Sequence, residues 1–141
     1  MALSRIEADS VSGLQATLTA ATTVPSEGGA VTTSLVQGLA KAWVNFNGSG
    51  PTVFRDSINC ASLLDNGSGD TTITLSSGFN DTNYSCAGSA QQNTGGGRGD
   101  FFVGLHGTAQ TTTTRRVSTC DSNGTSADSL IGNLQIWGDL A

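Results

Sequence analysis

Apolar and polar residues alternate along several stretches of this chain, and a period of two is typical of a β-strand with one buried face. The stretch 39–47 shows the alternation most clearly. One of its faces carries Ala40, Ala42, Val44 and Phe46, and the other carries Lys41, Trp43, Asn45 and Asn47. The stretch 129–137 repeats it, with one face formed by Leu130, Gly132, Leu134 and Ile136. We therefore predict that both stretches are strands packed against a core.

Turn residues divide the rest of this region into further short strands. Gly, Pro, Asn and Asp separate about eight predicted strands, at 39–47, 52–56, 58–64, 71–76, 83–90, 100–105, 113–120 and 129–137. The polar segment 65–70 supplies residues that tolerate positive φ, which predicts a hairpin. Short strands at this spacing indicate an all-β fold, either an antiparallel β-sandwich or a jelly-roll-like barrel.

Residues 1–38 differ from this pattern. Val11, Leu14 and Leu18 fall at helical spacing, but Gly13 and the Thr-rich sequence after it disfavour a stable helix. We predict that residues 1–22 form an extended arm, which becomes ordered when it docks on a partner. The alternative is a terminus that stays disordered. The apolar residues available for docking are Leu3, Ile6, Val11, Leu14 and Leu18. The predicted organisation is a docking arm and first strand in 1–38, with that strand at 30–36, followed by an antiparallel β domain in 39–141.

Composition predicts a thin core. Leu, Ile, Val and Phe make up 30 of 141 residues, close to the level of about 20% below which chains tend towards disorder. Thr is abundant, and Thr suits a solvated sheet face. We therefore expect stability to be shared with neighbours, in an obligate oligomer or a protein folded onto a larger surface.

The charge pattern argues against several classes of partner. Only 12% of residues are charged and the net charge is −5, so no basic stripe is present to bind nucleic acid. No apolar run reaches the roughly 20 residues of a membrane helix, which predicts no membrane insertion. The first ten residues lack the apolar segment of a signal peptide, so we expect synthesis in the cytoplasm and release by lysis.

Few residues offer chemistry. Cys60, Cys86 and Cys120 form no CxxC pair, so we predict no zinc site and interpret them as small residues facing the core, with a disulfide between two of them as the alternative. The segment 65–70 contains oxygen ligands of the kind calcium prefers, although a hairpin explains it fully. His106 is the single histidine and no G-x-S-x-G is present. We predict a non-enzymatic protein with no cofactor, no catalytic residue and no metal site.

Two sets of residues are candidates for contacts with other molecules. Trp43 and Trp137 are candidate oligomer contacts because tryptophan is enriched in interface hot spots, although partial burial in a monomer core would also explain them. Arg98 and Asp100 are candidate contacts in an exposed loop, since they flank Gly99 at the end of the glycine-rich segment 93–99. An ordinary polar loop is the alternative there.

The segment 38–70, GLAKAWVNFNGSGPTVFRDSINCASLLDNGSGD, resembles a β-meander module of small virion proteins from tailed bacteriophages. The resemblance lies in the AKAWVNFNG run, the RDS-x-N strand and the DNGSGD hairpin, which occur in that order. The opening segment 1–38 also looks like the start of such proteins. The resemblance implies a structural protein of the virion surface, made in the cytoplasm of a bacterial host and assembled as a homo-oligomer, a trimer in particular.

The resemblance leaves two functions open. In the first, the chain is a capsid decoration, cement or head-fibre protein, whose arm docks on the major capsid protein or another virion protein and reinforces the shell. In the second, it is a receptor-binding tail-fibre or tail-tip module that contacts a receptor on the host envelope through loops such as 93–99 and 121–127. The sequence contains no heptad shaft and no collagen-like repeat, which favours the first.

Overall fold

The computed structural model describes residues 23–25, 32–92, 101–102 and 110–141. The chain divides after Gly38 into two compact units. In the first unit, β1 (Thr23–Pro25) pairs antiparallel with β2 (Thr32–Ser34), and a single helical turn, α1 (Leu35–Gly38), follows. The predicted strand at 30–36 is therefore shorter, because the backbone turns into this helical turn at Leu35.

The residues predicted to dock on a partner are not among those that the structure describes. Leu3, Ile6, Val11, Leu14 and Leu18 fall outside the described residues, so the arm stays a prediction.

The second unit consists of two antiparallel sheets. The strands are β3 (Ala42–Asn47), β4 (Val53–Ile58), β5 (Cys60–Gly67), β6 (Asp70–Leu75), β7 (Ser85–Gln92), β8 (Phe101–Phe102), β9 (Thr114–Cys120) and β10 (Ser129–Trp137). The first sheet has the order β4-β3-β10-β7, and the second has the order β5-β6-β9-β8. The predicted all-β antiparallel fold is confirmed.

The inner faces of the two sheets share one hydrophobic core. The first sheet contributes alternate residues of β3 and β10, and the second contributes alternate residues of β6 and β9. The buried cluster comprises Ala42, Val44, Phe46, Ile73, Leu75, Phe79, Tyr84, Val117, Leu134 and Ile136. This confirms the predicted inward face of 39–47 and the inward face of β10 from Gly132 onwards.

One residue of the predicted β10 face is different. The pairing of β10 with β7 is irregular between Ser129 and Ile131, where a bulge shifts the register. A bulge adds one residue to a strand and reverses the alternation beyond it. Ser129 is therefore buried and Leu130 only partly buried, instead of Leu130 taking the core position.

Asn59 connects the two sheets. It lies between β4 and β5, and its φ of 56° is in the left-handed region that Asn tolerates better than most residues. Its side-chain amide donates to the carbonyl oxygens of Lys41 (3.2 Å) and Ser77 (3.1 Å), and its Oδ1 accepts from the backbone N–H of Ser77 at 2.7 Å. The break predicted after residue 56 thus occurs at Asn59, where the chain crosses from the first sheet to the second.

Candidate interaction face on the first sheet

The outer face of the first sheet is formed by residues that alternate with the core positions of its four strands. The register aligns one row across β4, β3, β10 and β7, composed of Ile58, Trp43, Gln135 and Ala87. The next row is composed of Asp56, Asn45, Asn133 and Ser89. We call this surface the first-sheet face.

Both tryptophans lie on this face. Trp43 pairs with Gln135, and Trp137 is two residues further along β10, so the tryptophans are diagonal neighbours. Diagonal cross-strand neighbours are about 7–8 Å apart, within reach of aromatic side chains. Each is partly buried. The structure therefore brings the two predicted contact residues together, while their role as oligomer contacts stays a prediction.

The edge strand β4 presents two exposed apolar side chains on this face, and one of them, Ile58, extends the aromatic area. Ile58 pairs with Trp43 and is 54% exposed, and Val53 pairs with Asn47 and is 49% exposed. Single exposed apolar residues are common on protein surfaces, but a contiguous group indicates a contact area. Ile58 is contiguous with Trp43, whereas the row of Asp56 and Asn45 separates Val53 from it. The two edge residues and the two tryptophans share one side of one sheet.

A row of amides crosses the same face. Asn45 Nδ2 donates to Asn133 Oδ1 at 2.7 Å, and Asn133 Nδ2 donates to Ser89 Oγ at 3.3 Å. The remaining amide oxygen, Asn45 Oδ1, is buried and has no hydrogen-bond partner. The sequence does not predict this row as a unit: alternation places Asn45 and Asn133 opposite the core positions of their own strands, but it does not show that the two strands pair.

A shallow depression of about 210 Å³ lies at the β7 end of the amide row, lined by Ala87, Gly88, Ser89, Asn133 and Gln135. Ala87 and Gly88 leave space because their side chains are small or absent. The polar groups around them are amides and a hydroxyl, and none of these lining residues is charged. The depression is therefore suited to hydrogen bonding with a neutral group.

Charged side chains lie at the margins of the face. Arg55 Nη2 donates to the carbonyl oxygen of Leu130 at 3.0 Å, and Asp56 Oδ1 accepts from the backbone N–H of Ser57 at 2.8 Å. Both residues belong to the edge strand β4. Depletion of charge at the centre with charge at the rim is the usual composition of a protein–protein contact surface.

The predicted hairpin at 65–70 is confirmed, and its carboxylates have structural roles. Asp65 Oδ1 accepts from the backbone N–H of Gly67 at 2.8 Å, which closes the turn. Asp70 accepts two hydrogen bonds from the Arg116 guanidinium, with the Nε bond at 2.7 Å. The hydrogen bond that Arg116 donates to Asp70 raises the pKa of Arg116 above its usual value. Among the described residues, no three His, Cys, Asp or Glu side chains are placed to hold a metal ion.

The other predicted positions divide into two groups. Cys60 and Cys86 are partly buried against the core, as predicted. Cys120 is buried but lies outside the core cluster, because it has the opposite parity to the inward residues Val117 and Thr119 of β9. The three cysteines form no disulfide. Arg98, Asp100 and His106 lie outside the described residues.

The described part of the chain contains no helix of the length and apolar character required to cross a membrane. No family model, no curated protein and no solved structure matches this chain.

Proposed function

We propose that this protein is a non-enzymatic structural component of the surface of a bacteriophage particle. It acts as a capsid decoration or cement protein, or as a head fibre. The N-terminal arm docks on the shell, and the β domain reinforces the shell by binding across subunit junctions. The resemblance of residues 38–70 to a virion β-module supports the assignment to a bacteriophage particle. The single observation that supports contact rather than chemistry is the first-sheet face, where Trp43, Trp137 and Ile58 lie together around neutral amides.

A second copy of the chain is the occupant we propose for this face, in a homotrimer. Four strands about 4.8 Å apart and six residues long give a footprint of roughly 400 Å². A stable interface buries about 800 Å² per partner. The face alone therefore supports weak self-association, and a durable assembly needs further contacts, such as those of the docked arm.

Substitution of Trp43 tests the face. Trp43→Ala should weaken self-association at least about 30-fold, because removal of a hot-spot tryptophan costs about 2 kcal/mol or more. Sedimentation equilibrium across a concentration series measures this directly. Thr72→Ala is the matched control, since Thr72 lies on the outer face of β6 in the second sheet. Equal association constants for wild type and Trp43→Ala would exclude the first-sheet face as the oligomer contact.

Copy number per particle tests the location. A decoration or cement protein should be present in purified virions at a stoichiometry comparable to that of the major capsid protein, as measured by quantitative gel densitometry. Deletion of residues 1–22 should leave a soluble β domain that no longer joins the particle. Normal incorporation of this truncated chain would contradict docking through the arm.

The depression favours a second candidate, a receptor-binding tail-fibre or tail-tip module. Its amides and hydroxyl can hydrogen-bond a neutral ligand, such as a sugar of the host envelope. In this case the copy number should match the few-fold symmetry of a tail, and Asn133→Ala should slow adsorption to host cells without changing incorporation. Abundance equal to that of the capsid protein would rule this candidate out.

A further inference from the structure

Arg115 is a buried cation in the core of the second unit. Its exposure is 2%, whereas the neighbouring Arg116 points outwards to Asp70. Consecutive residues of a strand point to opposite faces, so one of two adjacent arginines must point inwards. An arginine side chain does not lose its proton in a protein. The inward residue therefore carries its charge into the core.

No carboxylate of the described residues compensates this charge. The ion pair on β9 belongs to Arg116, and Arg115 has none. Two other groups contact the guanidinium. Its Nη2 donates to Cys86 Sγ at 3.0 Å, and its Cζ lies 5.5 Å from the centroid of the Tyr84 ring. Nε is buried without a hydrogen-bond partner.

These contacts place the Cys86 sulfur directly against a buried guanidinium. A buried charge is costly unless it is paired, and the sulfur is the hydrogen-bond acceptor that Arg115 reaches. The anionic sulfur of a cysteine is its nucleophilic form, and reactive cysteines lie in electropositive, partly exposed surroundings. Cys86 has both features: its sulfur contacts the Arg115 guanidinium, and the residue is partly exposed on the edge strand β7.

We propose that Cys86 is the reactive thiol of this chain, a site of modification by soft electrophiles and peroxides, with Arg115 as the residue that stabilises its anionic sulfur. In alkylation by iodoacetamide, a sulfur–carbon bond forms, the carbon–iodine bond breaks and iodide leaves. In oxidation by hydrogen peroxide, the sulfur attacks one oxygen and the O–O bond breaks. Sulfenic acid forms and hydroxide leaves, so sulfur is oxidised and peroxide is reduced. The added oxygen would also offer an acceptor to the unpaired Nε–H of Arg115.

The other two cysteines have different surroundings. The Cys60 thiol faces the carbonyl oxygens of Ile58 and Trp43, at 3.4 and 3.5 Å, which disfavour negative charge on the sulfur. Burial raises the pKa of Cys60 to about 11. Cys120 is only 6% exposed, which limits access of reagents. The three thiols therefore form an internal series for one experiment.

The experiment measures the rate of iodoacetamide labelling of each cysteine in the folded, full-length chain at pH 7, by peptide mass spectrometry. Cys86 should react at least tenfold faster than Cys60 or Cys120. Dimedone trapping after brief treatment with hydrogen peroxide should place the sulfenic acid adduct on Cys86. Equal rates, or faster labelling of Cys60 or Cys120, would overturn the proposal without any substitution.

Two matched substitutions separate the charge from the packing. Arg115→Met keeps much of the volume but removes the cation, and should slow the labelling of Cys86 at least tenfold. Arg116→Met removes the neighbouring outward cation and should leave that rate unchanged. If Arg115→Met unfolds the chain, all three thiols will be labelled at similar rates. In that event, the order of labelling rates in the wild-type chain is the test of the proposal. An unchanged Cys86 rate in a folded Arg115→Met chain would contradict the role of Arg115.

Discussion

The two sheets have similar inner faces and different outer faces. Inside, both bury aliphatic and aromatic side chains in one cluster. Outside, the second sheet presents Thr72, Thr74 and Thr114 with one large exposed apolar residue among those described, Leu64, and its charged residues Asp70 and Arg116 pair with each other. The first sheet instead presents two tryptophans, exposed apolar edge residues and a row of amides.

This difference indicates which sheet is adapted to a partner. Threonine is favoured on the solvent-exposed face of a β-sheet. A carboxylate paired with arginine has its hydrogen bonds satisfied within the chain. The polar groups of the second outer face are therefore satisfied, and its large exposed apolar residue, Leu64 on the edge strand β5, has threonine as its cross-strand neighbour. On the first sheet, Asn45 Oδ1 is buried without a partner, and exposed Ile58 lies next to Trp43 in the row that also borders Trp137. The first sheet therefore gains most from a contact with another molecule.

The largest effect should come from Phe46→Ala. Phe46 is 1% exposed in the shared core, and its ring lies against Gly132, where a Cβ would overlap it. Truncation of a buried phenylalanine costs about 3–5 kcal/mol of unfolding free energy. Because both sheets rest on one core, we expect the second sheet to lose this stability together with the first.

Two probes can separate the sheets in that experiment. Both tryptophans of the chain are on the first sheet, so tryptophan fluorescence reports on it, whereas far-ultraviolet circular dichroism reports on both sheets. Urea unfolding of Phe46→Ala should give coincident transitions with the two probes. A dichroism signal that persists after the fluorescence transition would show that the second sheet is stable by itself.

A smaller effect should distinguish the two hairpin turns. Gly50 follows β3 in the first sheet, and Gly69 precedes β6 in the second; their φ angles are +76° and +68°. A Cβ at Gly50 meets open space, whereas one at Gly69 would overlap the carbonyl oxygen of Thr119. Gly50→Ala should cost about 1 kcal/mol, from backbone strain alone. Gly69→Ala should cost about 2–3 kcal/mol, because steric overlap is added to the strain.

Denaturant midpoints of the two alanine variants provide the measurement, and each variant controls for the other. Equal losses would show that the turn of the second sheet can move away from Thr119. In that event, the hydrogen bond from the Thr119 N–H to the Gly69 carbonyl, at 2.8 Å, would not hold the hairpin in place.

Sequence patterns predicted the strands well because alternation depends only on neighbouring residues. Ile73 and Leu75 are buried as the period of two requires, and the hairpin at 65–70 follows from its Asn and Gly residues. Bulges broke this rule at Leu130, since a bulge depends on the partner strand rather than on the strand itself.

The candidate site was less predictable because it depends on sheet order. Asn45 and Asn133 are 88 positions apart, and only the pairing of β3 with β10 places their amides within 2.7 Å. The buried Arg115 could have been predicted, since the pair Arg115–Arg116 falls within one predicted strand and cannot lie on one face. Its contact with Cys86 could not, because it depends on how the two sheets pack.

The smallest expected effect is a pH dependence at the junction of the sheets. Cys60 begins β5 in the second sheet, and its thiol faces the backbone of Trp43 in the first. Burial raises the pKa of Cys60 from 9.0 to about 11 in the folded chain. Between these values, the unfolded chain has lost the Cys60 proton and the folded chain retains it. Stability is therefore complete below pH 9 and falls as the pH rises towards 11.

Urea unfolding at pH 8, 9 and 10 under reducing conditions should detect a loss on the order of 1 kcal/mol, small because Cys60 is only partly buried and solvent screens the cost. Tyr84, whose pKa burial also raises above 10.0, adds a loss of the same sign at higher pH. Cys60→Ala should flatten the curve between pH 9 and 10 and leave the later decline. If that variant keeps the full wild-type decline between pH 9 and 10, the junction thiol does not link the stability of the two sheets to pH.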